Sequence, residues 1–369
     1  MRRTGVADLP LHGGRAPRWL FSRMVRLSRA ISLVVIEEFG PEELLKRLAD
    51  PFWFQAFGCV LGFDWHSSGL TTTVCGALKE GLKPVALEAG IFICGGKARA
   101  SRKTPDEIVF WAEKAALPDS FKGLIRASRL AAKVDNTALQ DGFNLYHHVF
   151  FFTKSGAWAV IQQGMNEKTS YARRYHWLGE RVKSFVCEPH VGIVSQKKAG
   201  EVLNLVAKES KSAREVITEL SKAPPSETLR ELKKITRLEL PRRHSLTEAD
   251  LLPKGIEKVL LSTYEKAPKK FEEVLEVRGL GPKSLRALAL LSELIYEAPV
   301  SRRDPARYAF AHGGKDGHPY PVDRKVYDQT IAYLEEILAK AKLGPSEKKK
   351  AFYRLKGLSI DSKKGFLLV

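Results

Sequence analysis

Tryptophan and cysteine are confined to the first half of this 369-residue chain, and that asymmetry narrows the choice of fold more than any other feature. All six Trp lie between Trp19 and Trp177, and all four Cys (Cys59, Cys75, Cys94, Cys187) precede residue 188. Before about residue 195, helical and strand patterns alternate. Apolar spacing predicts helices over 41–49, 70–82, 105–117 and 119–133, and a strand over 86–95. Residues 146–153 and 157–163 flank Lys154-Ser155-Gly156, which predicts a β-hairpin. Beyond residue 195 the sequence turns to Lys, Glu and Leu at helical spacing, over 199–221, 226–237, 254–265, 269–277, 283–297 and 324–342. Ala223-Pro224-Pro225-Ser226 reads as a break between helices. The expected architecture is an α+β N-terminal domain (1–195) holding any chemistry, a helical linker (196–225) and an all-α domain (226–369).

Charge points to the partner. Sixty-one Lys and Arg against 42 Asp and Glu give +19, and both halves are net positive. Such an excess attracts polyanions, of which nucleic acid is the commonest. With 44% hydrophobic residues the chain can bury a core, which excludes a disordered protein. No apolar run reaches the ~18 residues needed to cross a bilayer. The basic opening at Arg2 and Arg3 leads into no apolar stretch, so a cytoplasmic protein without a signal peptide is expected. The cysteines form no C-x-x-C pair, so neither a zinc ribbon nor an iron–sulfur cluster is expected. Scarce Met beside abundant Lys, Arg and Glu suggests a thermophilic source.

The most specific local pattern lies in residues 269–297, where two helical stretches flank Gly279-Leu280-Gly281-Pro282. The glycines permit a tight turn with positive φ, and the free N–H groups of the second helix then point outward. A phosphate can rest on that positive end without any base contact. Arg278, Lys283, Ser284 and Arg286 stand ready to join it, while Leu280 points inward and locks the helices together. The segment resembles the helix-hairpin-helix motif of DNA repair and replication proteins. In the glycosylases among them, a Lys after the G-x-G attacks the sugar and an Asp in a following P-V-D segment assists. That resemblance would give these roles to Lys283 and to Asp323 of Pro321-Val322-Asp323. The two stand 40 residues apart, about twice the expected gap. The intervening loop, 299–320, is basic (Arg302, Arg303, Arg307, Lys315) and is either solvated or a DNA contact.

For chemistry in the first half, one cluster leads: Asp135, Asp141, His147, His148 and Gln163. Carboxylates with His suit a divalent metal that activates water and neutralises a phosphate under attack, with Asp135, Asp141 and His148 as ligands of Mg or Mn. The plainer alternative is that the aspartates cap turns and the histidines are hydrogen-bonded core residues. His147 and His148 should point to opposite faces of their strand. Asp64 and His66 form either an acid–base pair or, for Asp64, a helix cap. Gly69 and the threonines after it could receive an anion. A third cluster runs from Arg173-Arg174-Tyr175-His176-Trp177 to His190.

Taken whole, the sequence resembles an archaeal and bacterial family catalogued as a domain of unknown function that ends in a helix-hairpin-helix. The likeness rests on LPLHGG (9–14), DPFWFQAFGCVLGFDWHSSG (50–69), DNTALQDGFNLYHH (135–148) and HGGKDGHPYPVDRK (312–325). It implies a role in DNA metabolism and no mechanism. Three functions fit: a metal-dependent, structure-selective nuclease; a glycosylase or abasic-site lyase using Lys283 and Asp323; or a DNA-binding module without catalysis. Single-stranded, structured or damaged DNA is the expected partner in each.

Overall fold

The computed structural model describes residues 16–63, 67–119, 121–195, 202–235, 252, 254–306 and 324–360; of 324–331 and 356–360 only the backbone is described. Four helices come first: α1 (Arg18–Phe39), α2 (Pro41–Ala49), α3 (Pro51–Val60) and α4 (Gly69–Leu82). A single turn, α5 (Ala86–Ala89), precedes strand β1 (Ile91–Lys97), then α6 (Thr104–Lys114) and α7 (Phe121–Lys133). Strands β2 (Leu139–Gln140), β3 (Asn144–Thr153), β4 (Trp158–Asn166), β5 (Tyr171–Leu178), β6 (Gly192–Val194) and β7 (Leu203–Asn204) follow. The remainder is helical: α8 (Lys211–Leu220), α9 (Pro225–Ile235), α10 (Ile256–Lys266), α11 (Phe271–Leu275), α12 (Pro282–Leu294), α13 (Arg324–Lys340) and α14 (Pro345–Ile360). Pro41, Pro51, Pro225, Pro282 and Pro345 each open a helix, where the missing N–H leaves no acceptor unmet and φ is already set. Asp50 caps α3, its carboxylate accepting from the Phe52 and Trp53 amides at 2.8 and 3.2 Å.

The strands form a five-stranded antiparallel sheet in the order β1-β3-β4-β5-β6, and β2 pairs with β7 in a separate ribbon. The predicted hairpin is β3–β4, with Phe152 opposite Trp158 across the turn. Helices cover both faces of the sheet. On one face Leu44, Phe54, Phe57, Val149, Phe151 and Ile161 share a core with Leu334, Ile337, Leu338 and Leu355 of α13 and α14. Lys340 donates to Glu38 at 2.8 Å and Arg354 to the Val60 carbonyl at 3.1 Å, tying these last helices to α1 and α3. On the other face Phe92, Phe150, Phe152 and Trp177 pack with α7 and with Ile217, Leu232, Leu280, Leu285 and Leu288 of the later helices.

This overturns the expected fold of an α+β N-terminal domain followed by an all-α domain. The chain instead wraps one central antiparallel sheet with helices on both sides, and each hydrophobic core draws residues from both sides of position 195. The compositional shift was genuine, but it marks where strands end, not where a core ends. An amphipathic helix needs only one apolar face to bury, and here the late helices bury theirs against the sheet and the early helices.

Candidate nucleic-acid interface and the polar belt beneath it

Helices α11 and α12 form the predicted helical hairpin. Gly279 has φ +89°, in the region that side chains avoid, so the reversal needs a residue without Cβ there. Leu280 is 1% exposed and plugs the core between the helices. Arg278, Gly279, Lys283 and Arg286 are exposed at the turn, while Ser284 is buried. The Leu280 amide, expected to be bare, donates to the Val277 carbonyl at 3.3 Å, and Leu285 donates to Gly281 at 3.0 Å. The outward donors are therefore those of the first helical turn, Lys283 and Ser284, which have no intrahelical acceptor. The turn is held from behind by two carbonyls. Lys133 Nζ, at the end of α7, donates to the Leu280 oxygen at 2.6 Å, and Gln140 Nε2 donates to the Pro282 oxygen at 2.8 Å. Burial pushes the Lys133 ammonium below its ordinary range. Arg126 adds a bidentate pair with Glu276 at 2.9 and 3.1 Å.

Two polar rows cross the sheet on opposite faces, one of them on the α7 face that the hairpin also packs with. Cross-strand pairing sets His148 beside Gln162 and Gln162 beside Tyr175; the next row sets Lys97, His147, Gln163 and Arg174 side by side. On the α7 face, Asp135 lies at the exit of that helix and is fully buried. Its Oδ2 accepts from Gln162 Nε2 (2.6 Å) and Trp177 Nε1 (2.9 Å), and its Oδ1 pairs with His190 Nε2 (2.5 Å). Gln162 also donates to the Ala131 carbonyl at 3.2 Å, so its Oε1 accepts from His148 Nδ1 at 2.8 Å. That fixes His148 Nε2 as the acceptor of the Ser128 hydroxyl, also at 2.8 Å. Burial pushes the His148 imidazole below its ordinary range.

Asp141 belongs to a different cluster. Its Oδ2 accepts from Arg173 Nη1 and the Tyr175 hydroxyl, both at 2.8 Å, and its Oδ1 from the Phe143 amide at 3.1 Å. Arg173 also forks onto Asp304 at 3.1 and 2.8 Å. The guanidinium and both carboxylates are sealed from solvent. Burial pushes the Asp141 carboxyl up against the pull of Arg173.

On the opposite face Gln163 Nε2 donates to the Ser68 carbonyl at 2.8 Å and to the Tyr146 hydroxyl. Arg174 donates to Gln55 and to His176 at 2.8 Å. His147 is 2% exposed and neither of its ring nitrogens meets a partner; burial pushes its pKa down to about 3. Replacing it by Leu removes two unmet polar atoms and is expected to leave stability unchanged or raised by ~1–3 kcal/mol. His148→Leu strands Ser128 and Gln162 and is expected to lower stability by ~1–3 kcal/mol for each stranded group. Urea unfolding of both variants checks the contrast, and a reversed order would refute it.

The structure thus separates the predicted catalytic cluster into three groups: Asp135 with His148, Asp141 with Arg173, and His147 with Gln163. Among the described residues, no three His, Cys, Asp or Glu side chains gather as metal ligands. Every oxygen of Asp135 and Asp141 is already taken by a protein donor, so the residues present do not fit a Mg or Mn centre. Ser128, Gln162, Tyr175, Trp177, His190 and Asp304 complete these networks. Tyr175, Trp177 and His190 belong to the third cluster of the sequence, with period-two alternation through 173–177, whereas Ser128 and Asp304 carry no local signal. Arg302 pairs with Glu293, and exposed Arg303 lies 4.0 Å from Glu209. Asp64, His66, residues 307–320 and Asp323 lie outside the described residues.

The fold and site define a helix-covered antiparallel sheet carrying a basic helical hairpin on a buried polar belt. The chain belongs to the family described as Protein of unknown function (DUF763), whose profile matches residues 5–322. No curated protein and no solved structure matches it. No helix among the described residues is long and apolar enough to cross a membrane.

Proposed function

We propose that this protein binds nucleic acid by its sugar–phosphate backbone, with the α11–α12 hairpin acting as a helix-hairpin-helix grip. One observation carries the reading. Arg278, Lys283 and Arg286 are exposed around the start of α12, while Leu280 and the carbonyls of Leu280 and Pro282 are anchored inward. Donors and cations therefore face solvent on a turn that cannot collapse onto them. Such a grip positions without reading sequence, so selection falls on the shape or damage of the DNA. Asp135 and Asp141 act as anchors for the sheet and carry no chemistry in this reading. Lys283, exposed at the first turn of α12, is a phosphate contact.

Fluorescence anisotropy with labelled duplex and single-stranded DNA between 50 and 200 mM salt tests it. The logarithm of the binding constant is expected to fall linearly with the logarithm of salt concentration. Arg278→Glu, Lys283→Glu and Arg286→Glu together are expected to lower the slope by about one for each contact removed. Binding that ignores salt, or that survives the triple variant, would overturn the proposal.

A further inference from the structure

The basic run that follows β1 is the strongest charged surface the hairpin does not explain. Lys97, the last residue of β1, and Arg99, Arg102 and Lys103 of the 3-10 segment Ala98–Lys103 are all exposed. Arg99, Arg102 and Lys103 form no ion pair with the described residues, while neighbouring Glu107 is occupied by Lys79 (2.7 Å) and the Gly95 amide (2.6 Å). Exposed Asp106 is the nearest carboxylate in sequence that is not so occupied.

The backbone is forced into place to present this run. Gly95, Gly96 and Ala98 have φ of +92°, +146° and +51°. A Cβ at Gly95 would lie 2.3 Å from the His148 carbonyl oxygen. Ala98, which has a Cβ, adopts a left-handed conformation that costs of order 1 kcal/mol and persists only where the surroundings impose it. The chain thereby leaves the sheet edge abruptly and turns four cations to solvent.

This run emerges from the same end of the sheet as the hairpin. Lys97 pairs in register with His147 on β3. Two residues earlier, the Leu145 amide donates to Asn136 Oδ1 at 3.3 Å, in the turn that ends α7. From that turn Gln140 spans the Thr137 carbonyl (3.1 Å) and the Pro282 carbonyl of the hairpin (2.8 Å). Beside the run stands half-buried Tyr146, its ring 5.7 Å from Lys97 Nζ.

We infer that Lys97, Arg99, Arg102 and Lys103 form a second phosphate-backbone contact, so that one nucleic-acid strand or duplex engages this run and the hairpin together. The inference rests on the nucleic-acid reading of the hairpin. Charge complementarity commits the surface to a polyphosphate backbone, and two separated contacts make binding depend on DNA length.

The test compares 8- and 20-base-pair duplexes against the wild type and the variant Lys97→Ser/Arg99→Ser/Arg102→Ser/Lys103→Ser. The wild type is expected to prefer the longer duplex. The variant is expected to bind it about tenfold more weakly, with a salt slope smaller by up to ~3.6 from four lost contacts. Should the variant unfold, protection of Lys97 and Lys103 from an amine-reactive reagent by the 20-base-pair duplex gives the same readout on the unaltered protein. Unchanged affinity and slope in the variant, or no protection, overturns this inference alone, while loss of binding in the hairpin variant keeps the grip. Wild-type protein that binds phosphatidylserine vesicles but no DNA overturns both.

Discussion

Acidifying the protein from pH 6.5 to 4.5 is expected to remove several kcal/mol of stability. Three histidines, His147, His148 and His176, are buried on the sheet, and burial lowers the pKa of each, that of His147 to about 3. In the unfolded chain they take up a proton near pH 6.5. Between that value and the native one, the unfolded state holds more protons, so stability falls as pH falls. Each histidine contributes about 1.4 kcal/mol per pH unit through its own window. For His147 the window runs from about 6.5 down to about 3, which gives ~2.3 kcal/mol over the two units in question, the slope being half-developed at its upper end. Asp141 works the other way: its raised native pKa adds stability as pH falls toward it. Against a typical total of about 5–15 kcal/mol, the His147 share alone is a sizeable fraction, and His148 and His176 act in the same direction. Urea midpoints at pH 7, 5.5 and 4.5 measure this, and a flat profile would show that the imidazoles accept protons without unfolding.

The second large effect lies at Arg173. Its guanidinium joins Asp141 to Asp304, and all three side chains are sealed from solvent. Arg173→Met leaves two buried carboxylates facing each other without a cation, and is expected to cost about 3–5 kcal/mol. Adding Asp141→Asn and Asp304→Asn removes both stranded charges while keeping an acceptor for the Tyr175 hydroxyl. That triple variant is expected to recover most of the loss, since a buried ion cluster adds little over neutral replacements. Thermal unfolding of the single and triple variants separates the two cases. Equal loss in both would mean that Arg173 acts by packing on Phe143, 4.5 Å from its ring, and not by charge.

What could be read in advance follows from how far apart the determining residues lie. The β3–β4 hairpin was legible because its turn and apolar strands are contiguous. So was the α11–α12 turn, whose reversal needs only Gly279, Leu280 and Gly281. Helix α3 was not legible: every residue from Pro51 to Val60 is buried, so no polar face gives the sequence a helical period. Arg173 and Arg174 stand out in the sequence as one cluster with His190. Alternation along β5 sends them to opposite faces of the sheet, and the partners of Arg173 stand 32 and 131 residues away. The turn-capping read for Asp141 is present, its Oδ1 accepting from the Phe143 amide two residues on, but the anchoring of Asp135 and Asp141 by Gln162, Trp177, His190, Arg173 and Tyr175 was not legible, because those donors lie 27 to 55 residues along the chain. The Lys133 and Gln140 contacts that hold the hairpin turn span 147 and 142 residues. No local pattern announces them.

The return of α13 and α14 to the first helical layer sets a schedule for biosynthesis. Helices α1 to α4 are complete by Leu82, yet Leu334, Ile337 and Leu355, which close their core, emerge more than 240 residues later. At ordinary translation speeds that delay is roughly 10–50 s. Throughout it, a greasy surface on the nascent polypeptide must wait for its lid, which makes this layer the part of the molecule most dependent on chaperones at the ribosome.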